Sequence, residues 1–483
     1  MKTVRPLLLP LAAGLALLGG CGGGDYEPEV RADEKRLGAE QHPQLLAEFG
    51  GAYRAPEAAY ARRVGEKVAA AAGLQGQCTF TLVNSDVVNA FAVPGCYIYV
   101  TRGLMGIVNS EAELASVLAH EVGHIVAAHN RRQRNRSLWR NLGVWAVGAV
   151  TGSEDLTRIA GQAAEYFTLR YSRKQEYEAD DLGVRFLAGA GYDPWAAGDM
   201  LGALGRHEAY MGRTRGRDEA RAIPEWARTH PLAGNRVERA AQAASATGIT
   251  DGAVPELEAP YLRELDGLLY GDDPEQGFVN GRRFAHPVMR IGFEAPEGFT
   301  LTNSPRSILI EGPDGLRGEF GSGPMPPGGL VAYAEGLMRA LLKGTPARAG
   351  PAEPTRINGL PALLVPVVVQ TEQGTIELTI AAYDGGDGGA YHFIMVAPPA
   401  EASRNAIAAL FASFHLLSDE QARSLRPRLI RTVRVAPGQT PATFAAFMAS
   451  EHPLDHFRML NGLAPGQAPK PGDLVKIVTF ASR

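Results

Sequence analysis

Two histidines four residues apart, inside a segment with the signals of a capped helix, constrain this chain more than any other feature. They stand in His120-Glu-Val-Gly-His124. Ser110 and Glu113 upstream form a capping box, which is typical of a helix N-terminus, and apolar residues then recur at spacings of three and four. Residues four apart lie one turn apart on the same face of a helix. We therefore predict a helix here, with both imidazoles projecting from one face.

Two imidazoles at this spacing suit one zinc ion, which accepts nitrogen ligands from consecutive turns of a helix. Glu121 lies beside His120 around the helix, where it can reach a water on the metal rather than the metal itself. Zinc lowers the pKa of such a water and polarises a carbonyl, and Glu121 would accept the proton as general base. The alternative is a coincidental helix whose histidines are solvated or packed without a metal.

A third ligand is needed, and two acidic residues downstream are the best candidates. Glu176 and Asp180 are four apart and so share one helical face. We predict that Glu176 binds zinc through oxygen, and that Asp180 accepts a hydrogen bond from a ligating histidine and fixes its tautomer. Glu178 is about 200° around the helix from Glu176 and is predicted to face elsewhere. Taken alone, such an acidic stretch is more often a solvated helix face.

The residues just after His124 argue against a different zinc arrangement. A metzincin would have glycine at position 127 and histidine at 130, where this chain has Ala127 and Asn130. His129 is about 140° around the helix from His124 if the helix continues. We therefore predict that His129 is solvated.

Four motifs in this order resemble the zinc peptidase family that includes the CAAX prenyl endopeptidases, the HtpX heat-shock protease and the BepA-like proteins. The resemblance covers only the first large region of the chain. The motifs are Asn89-Ala-Phe-Ala-Val-Pro-Gly95, His120-Glu-Val-Gly-His124, Glu176-Tyr-Glu-Ala-Asp180, and Thr229-His-Pro231 with Arg236 behind it.

The resemblance implies a gluzincin fold, a zinc metalloendopeptidase activity and one zinc ion per chain. Two helices would supply the ligands His120, His124 and Glu176, with Glu121 as the base. The stretch beginning at Asn89, Ala90 and Phe91 would lie beside the cleft. An extended substrate could add there as a strand, held by main-chain hydrogen bonds.

Two further residues carry expectations with alternatives. The resemblance implies that His230 can approach the metal, where it would block the water site in a latent state or stabilise the oxyanion as a catalytic residue. The alternative is a histidine that merely begins a helix before Pro231. Arg236 is either structural or holds the acidic residues of the site.

The sequence pattern divides the chain into three regions after its first segment. Residues 30–255 are predicted to be a mostly α zincin-like peptidase domain with one two-strand stretch near 78–101. Residues 276–420 are predicted to be an α+β domain of unknown role with an antiparallel sheet, because strand-like runs alternate with glycine-containing turns. Residues 428–483 are predicted to form a small βααβ domain.

The last region resembles LysM domains. The resemblance rests on Pro437-Gly-Gln-Thr440, Leu460-Asn-Gly-Leu463 and Pro471-Gly-Asp473. It implies binding to N-acetylglucosamine-containing glycans and hence to peptidoglycan. The alternative is a structural or protein-docking variant of the fold without glycan affinity.

The first residues of the chain predict export. Residues 1–20 have the basic and apolar pattern of a signal peptide, and Leu18-Gly-Gly-Cys21 resembles a lipobox. That resemblance implies cleavage before Cys21 and lipidation of Cys21. The mature protein would then be periplasmic, with its lipid anchored at the outer membrane of a Gram-negative bacterium and residues 21–29 as a tether. The alternative is an ordinary secretory signal.

The two remaining cysteines, Cys78 and Cys96, would then lie in an oxidising compartment. We expect them either to form a disulfide with each other or to remain as two buried thiols.

These observations favour one function class and leave a second open. The net charge of -4 argues against a nucleic-acid partner. We expect an envelope-tethered zinc metalloendopeptidase that hydrolyses misfolded or stalled envelope proteins, in contact with the membrane through its lipid anchor only. The alternative is a chaperone or assembly factor for outer-membrane proteins with latent proteolysis. Expected partners are protein or peptide substrates, peptidoglycan and the outer-membrane assembly machinery.

Overall fold

The computed structural model describes residues 28–134, 171–214, 226, 230, 235–342, 347–371, 374–386, 388–398 and 400–482. The predicted signal peptide, Cys21 and most of the predicted tether lie outside the described residues. Within the described ranges, no helix has both the length and the apolar character needed to cross a membrane.

The described residues form fourteen α-helices and eighteen β-strands, numbered in chain order. The α-helices are α1 (Ala32–Glu48), α2 (Pro56–Ala71), α3 (Arg102–Ile107), α4 (Glu111–Val126), α5 (His129–Arg134), α6 (Arg173–Gly189), α7 (Ala196–Thr214), α8 (Arg236–Ala246), α9 (Glu258–Glu264), α10 (Gly329–Leu341), α11 (Glu401–Ala412), α12 (Asp419–Ser424), α13 (Pro441–Ala445) and α14 (Pro453–Leu460). The β-strands are β1 (Thr79–Val83), β2 (Ala90–Val93), β3 (Tyr97–Thr101), β4 (Leu269–Tyr270), β5 (Phe278–Asn280), β6 (Arg283–His286), β7 (Ile291–Glu294), β8 (Thr300–Asn303), β9 (Ile308–Glu311), β10 (Arg317–Pro324), β11 (Ala347–Ala349), β12 (Glu353–Ile357), β13 (Leu360–Thr371), β14 (Gly374–Asp384), β15 (Gly389–Ala397), β16 (His415–Leu416), β17 (Arg428–Arg434) and β18 (Leu474–Phe480).

The first region is mostly helical, as predicted. Its helices pack around a small sheet of order β1-β3-β2, in which β1 is parallel and β2 antiparallel to β3. The sequence indicated two strands where the structure has three. The extra strand, β2, has only four residues, and all of them are buried, so it shows no alternation of polar and apolar residues.

The central helix of this region is α4. The Ser110 side chain accepts a hydrogen bond from the Glu113 amide at 3.0 Å, and this bond caps the predicted helix N-terminus. Nearly all side chains of α4 are buried against α2, α6 and α7. A helix that is apolar on all sides belongs in a core, so the few polar side chains that it carries are held in a largely water-free setting.

The second region contains the large antiparallel sheet that was predicted. Its strand order is β11-β13-β14-β15-β10-β9-β8, and β12 pairs with β13 as well. A four-stranded sheet of order β16-β7-β6-β5 lies in the same region. The predicted strand runs 363–370, 375–383 and 391–396 fall within β13, β14 and β15, and the predicted helices 329–342 and 401–415 correspond to α10 and α11.

The last region has the element order β17, α13, α14, β18, and its two strands pair antiparallel. A third strand, β4, pairs with β17 so that Leu269 faces Leu429 and Tyr270 faces Arg428. The buried side chains of this region belong to the same apolar cluster as those of the first region. Those of the second region form separate clusters.

Candidate metal centre

Close packing of α4 on α6 brings the predicted ligands together. A Cβ atom on Gly123, inside the histidine motif, would lie only 2.8 Å from the carbonyl oxygen of Ala179 on α6. A Cβ atom on Gly183 would lie 3.3 Å from the His120 amide nitrogen. Two glycines on facing helices therefore allow the backbones to approach closely enough for the imidazoles of α4 to reach a carboxylate of α6.

The three predicted ligands converge at the centre of this contact. The Nε2 atoms of His120 and His124 are 3.0 Å apart, and each lies 3.6 Å from an oxygen of Glu176. All three side chains are buried, with at most 2% of their surface exposed. Zinc binds nitrogen and oxygen at about 2.0–2.2 Å in tetrahedral geometry, so donor atoms this close together can share one ion.

Glu121 provides an independent sign that the site is built for a polar group. Both of its carboxylate oxygens are buried, and their polar neighbours are the backbone amide of Ala92 and His230 Nε2, which lies 3.5 Å from Oε1. Burial raises the pKa of Glu121 to about 8, although His120 opposes this shift. Burying an ionised carboxylate is costly unless its charge is compensated, and a hydrated cation would offset that cost. The donor set of two imidazoles and one carboxylate fits zinc.

His230 lies at the centre of the site and not at its edge. Its Nδ1 is 3.0 Å from Glu176 Oε1 and 3.2 Å from His120 Nε2, and its Nε2 is 3.5 Å from Glu121 Oε1. One donor atom each from His120, His124, Glu176 and His230 lie within 4.8 Å of one another. His230 can therefore act as a fourth ligand, in agreement with what the resemblance implies.

Arg236 and Asp180 support the His120 side of the site. Asp180 Oδ1 lies 2.9 Å from His120 Nδ1, within hydrogen-bonding distance. Arg236 donates two hydrogen bonds to Asp180, at 2.7 and 2.9 Å, and its Nη1 lies 3.0 Å from Glu176. Burial favours a higher pKa for Asp180, but Arg236 and His120 together hold that pKa well below its ordinary value. Asp180 therefore stays ionised and can fix the tautomer of His120.

The prediction that His129 is solvated was wrong, whereas Glu178 does lie apart from the four candidate ligands, as predicted. Helix α4 ends at Val126, and Ala128 adopts a left-handed φ of 52°, so the helical projection from His124 does not extend to His129. His129 is buried, with its Nδ1 2.8 Å from His124 Nδ1 and its Nε2 3.0 Å from Glu178 Oε2. A third histidine within six residues of the motif was the available sequence signal.

Tyr171 and Asn130 are two more neighbours of the site that sequence reasoning missed. The Tyr171 ring stacks on the His124 ring with centroids 3.8 Å apart. The Tyr171 hydroxyl donates to Asn130 Oδ1 at 2.7 Å, and Asn130 Nδ2 donates to the carbonyl of Ala92 at 3.3 Å. These contacts connect a predicted ligand to strand β2.

The segment predicted to receive substrate lies beside this centre, at the edge of the small sheet. Ala90 and Phe91 belong to β2, which is the edge strand of this sheet and pairs only with β3 among the described strands. Asn89 precedes the strand, and its carbonyl accepts the Thr101 amide at 3.1 Å. Alternate residues of a strand direct their backbone groups to opposite sides, so Ala90 and Ala92 present theirs away from β3.

Cys78 and Cys96 form a disulfide in the structure, with an S–S distance of 2.00 Å. Cys96 lies in the turn between β2 and β3 and has a φ of 59°, a left-handed value that favours glycine. The bond attaches the β2–β3 turn to the residue before β1.

Comparison with known proteins agrees with this geometry. The family model described as Peptidase family M48 matches residues 55–244, which include all four candidate ligands. Residues 55–244 are a peptidase family M48 domain. The match supports the predicted family and the predicted zinc cofactor for residues 55–244.

Relatives of the M48 domain occur in mitochondria and bacteria. The mitochondrial metalloendopeptidase OMA1 of Arabidopsis thaliana is 36% identical over 162 residues, 34% of this chain and 30% of that protein. The beta-barrel assembly-enhancing protease of Yersinia pestis is 31% identical over 172 residues, 33% of each chain. OMA1 of Schizosaccharomyces pombe is 28% identical over 216 residues, 43% of this chain and 59% of that protein. The chain thus spans about a third of the length of the first two relatives.

Proposed function

We propose that this chain is a zinc endopeptidase that cleaves extended segments of misfolded or stalled proteins in the bacterial envelope. The observation that carries the proposal is the convergence of His120, His124 and Glu176 beside the fully buried carboxylate of Glu121. A structural role alone would not require a carboxylate held in this way.

The roles of the residues follow from their positions. A zinc ion bound by the two histidines and Glu176 would polarise a carbonyl and acidify a coordinated water. Glu121 would accept a proton from the attacking water and pass it to the leaving amide nitrogen. The edge of β2 would hold the substrate backbone in extended form, through the groups of Ala90.

His230 keeps this site latent in our proposal. The ligands and Glu121 are all buried, and the His230 ring lies among them with Trp226 stacked on it at a centroid distance of 4.3 Å. Substrate can enter only if His230 moves. This closed arrangement also favours the second candidate function, a chaperone or assembly factor that holds clients while proteolysis is latent.

The proposal also places the protein in the bacterial envelope, attached by a lipid. A relative is named for assembly of β-barrel proteins, and the motif ending at Cys21 indicates lipid attachment. We expect radiolabelled palmitate to be incorporated into the wild-type chain and not into Cys21→Ser. Incorporation into both would remove the lipid anchor at Cys21 from the proposal.

Glycan binding by the last region is a further expectation. The loops around residues 436–438 and 464–468 are exposed, so both flanks of the βααβ unit are accessible. We expect the full-length chain to be retained on purified peptidoglycan and released by soluble N-acetylglucosamine oligomers. No retention at low salt would favour the structural variant of the LysM-like fold.

The catalytic proposal is tested by Glu121→Gln. The substitution removes the base and preserves size, so we expect casein cleavage to fall by about 100-fold or more while zinc content remains near one per chain. His230→Ala, measured in parallel, should cleave faster than wild type if His230 blocks the site. Equal cleavage by wild type and Glu121→Gln would contradict the enzyme proposal and leave the holding function.

A further inference from the structure

A chain of polar contacts runs outward from His124 to the surface. His124 Nδ1 lies 2.8 Å from His129 Nδ1, and His129 Nε2 lies 3.0 Å from Glu178 Oε2. Arg132 donates to both oxygens of Glu178, at 3.0 and 3.3 Å. His129 is fully buried, whereas Glu178 is about one-fifth exposed. The four side chains therefore connect a candidate zinc ligand to solvent.

The positions of the protons in this chain follow from the chemistry of the groups. An ionised carboxylate only accepts hydrogen bonds, so His129 Nε2 must donate to Glu178. A neutral imidazole then has a lone pair on its other nitrogen, and His129 Nδ1 accepts the proton carried by His124 Nδ1. The remaining nitrogen, His124 Nε2, is left with its lone pair directed towards His120 Nε2 and Glu176.

We propose that His129 is a positioning residue of the metal centre, which with Glu178 holds His124 in the tautomer and orientation that bind zinc through Nε2. This inference rests on the zinc site of the proposed function. It gives His124 a support matching the one that Asp180 gives His120 at 2.9 Å. Groups that hold a metal-binding histidine through its second nitrogen commonly raise metal affinity by 10- to 100-fold.

The local fold is consistent with this role. The left-handed turn at Ala128 ends α4 and starts α5, so the His129 side chain returns towards the site instead of facing solvent. The Tyr171 ring covers the His124 ring from another side at 3.8 Å. The hydrogen bond between His124 and His129 is thus shielded from water, where it has more effect on orientation.

The test compares zinc dissociation constants of metal-free, full-length variants, measured by competition with a chromophoric chelator. His129→Leu removes the acceptor, and we expect zinc to bind about 10- to 100-fold more weakly. His129→Asn keeps an oxygen acceptor near the Nδ1 position and should recover most of that loss. Glu178→Gln should weaken binding several-fold. Asp181→Asn is the matched control, because it removes an exposed ion pair with Arg239 from the same helix.

A second measurement, thermal unfolding of the metal-free proteins, separates positioning from packing. A merely structural His129 would lower the unfolding midpoint while the zinc dissociation constant of the folded protein stayed unchanged, and this result would overturn the proposal. If His129→Leu fails to fold, Glu178→Gln decides: unchanged zinc affinity overturns the proposal, and weaker binding supports it. The assay contains no substrate, so a lack of proteolysis would refute only the proposed function.

Discussion

The second and last regions of this chain both follow the M48 domain in sequence, but they relate to it in opposite ways. The second region buries its apolar side chains in clusters of its own. The last region buries Phe444, Phe457 and Val478 in the same cluster as the helices of the M48 domain. A boundary that is visible in the sequence pattern near residue 428 is therefore not a boundary of the hydrophobic core.

The connections explain this difference. Strands β4 and β17 are antiparallel neighbours, with Tyr270 facing Arg428. The whole segment between them, including the large sheet, is thus inserted at a point where the chain leaves and re-enters one three-stranded sheet. We infer that the M48 domain and the last region are one folding unit, interrupted by an inserted domain.

A buried lysine marks the contact between the M48 domain and the last region. Lys476 on β18 donates from Nζ to the carbonyls of Gly106 and Val108, at 2.9 and 2.8 Å. These carbonyls lie just before the start of α4, and the carboxylate of Glu113 in the first turn of α4 opposes the effect of burial on Lys476. The last region therefore contacts the segment that leads into the helix carrying His120 and His124.

Removing residues 428–483 should have the largest effect. Helices α3, α7 and α9 would lose the apolar surface that packs against α14 and β18. Each large buried apolar side chain contributes about 1.5–3 kcal/mol, and a typical domain has a net stability of only about 5–15 kcal/mol. We expect the truncated chain to lose cooperative thermal unfolding and bound zinc. A truncated chain that retains both would show that the core is divisible at this boundary.

Lys476→Met should destabilise the chain by about 3 kcal/mol, because two buried carbonyls lose their donor and Glu113 loses a nearby cation. Urea unfolding measures this free energy. The control is Lys470→Met, an exposed lysine in the same region, which should change stability by no more than about 0.5 kcal/mol. Equal effects of the two substitutions would contradict a specific role for Lys476.

The same pair predicts a pH dependence. Burial raises the pKa of Glu113 from 4.5 to about 7 and lowers that of Lys476 from 10.5 to about 7. Between pH 4.5 and about pH 7, Glu113 is still protonated in the folded chain but has lost its proton in the unfolded chain. The free energy of unfolding therefore falls as the pH rises through this range. Above about pH 7, Lys476 has lost its proton in the folded chain but keeps it in the unfolded chain. The free energy of unfolding therefore rises again as the pH increases.

The double variant Glu113→Gln with Lys476→Met tests this dependence. Both titrating groups are removed together, so the difference in unfolding free energy between wild type and variant should have its minimum near neutral pH. Urea titrations at acidic, neutral and alkaline pH measure the difference. A difference that does not vary with pH would show that neither group changes its proton affinity on folding.

Excising residues 272–426 and joining the ends with a short glycine-serine linker should have the smallest effect. Tyr270 and Arg428 are paired, so a hairpin turn can replace the inserted domain. Among the described residues, the excision removes hydrogen bonds from Asn84 to Asp273 at 2.7 Å, from Gln276 to the Asn84 carbonyl at 3.3 Å and from Arg426 to the Ala481 carbonyl at 3.4 Å. We expect cooperative unfolding and zinc content to persist. Loss of either would place the second region within the folding unit.

The parts of the fold and site that sequence could predict are those controlled by local periodicity and ligand chemistry. The two histidines and Glu176 follow from helical spacing and from what zinc binds. The sheet of the second region follows from apolar runs between glycine turns. His129 was missed because its position depends on the helix break at Ala128, which tertiary packing sets. Lys476 was missed because its acceptors lie 370 and 368 residues away.

The most direct test of the account is a crystal structure of the zinc-loaded chain with anomalous data at the zinc absorption edge. We expect one anomalous peak per chain, about 2.0–2.2 Å from His120 Nε2, His124 Nε2 and an oxygen of Glu176. A peak bound by other residues, or no peak at this position in zinc-saturated protein, would contradict the central claim.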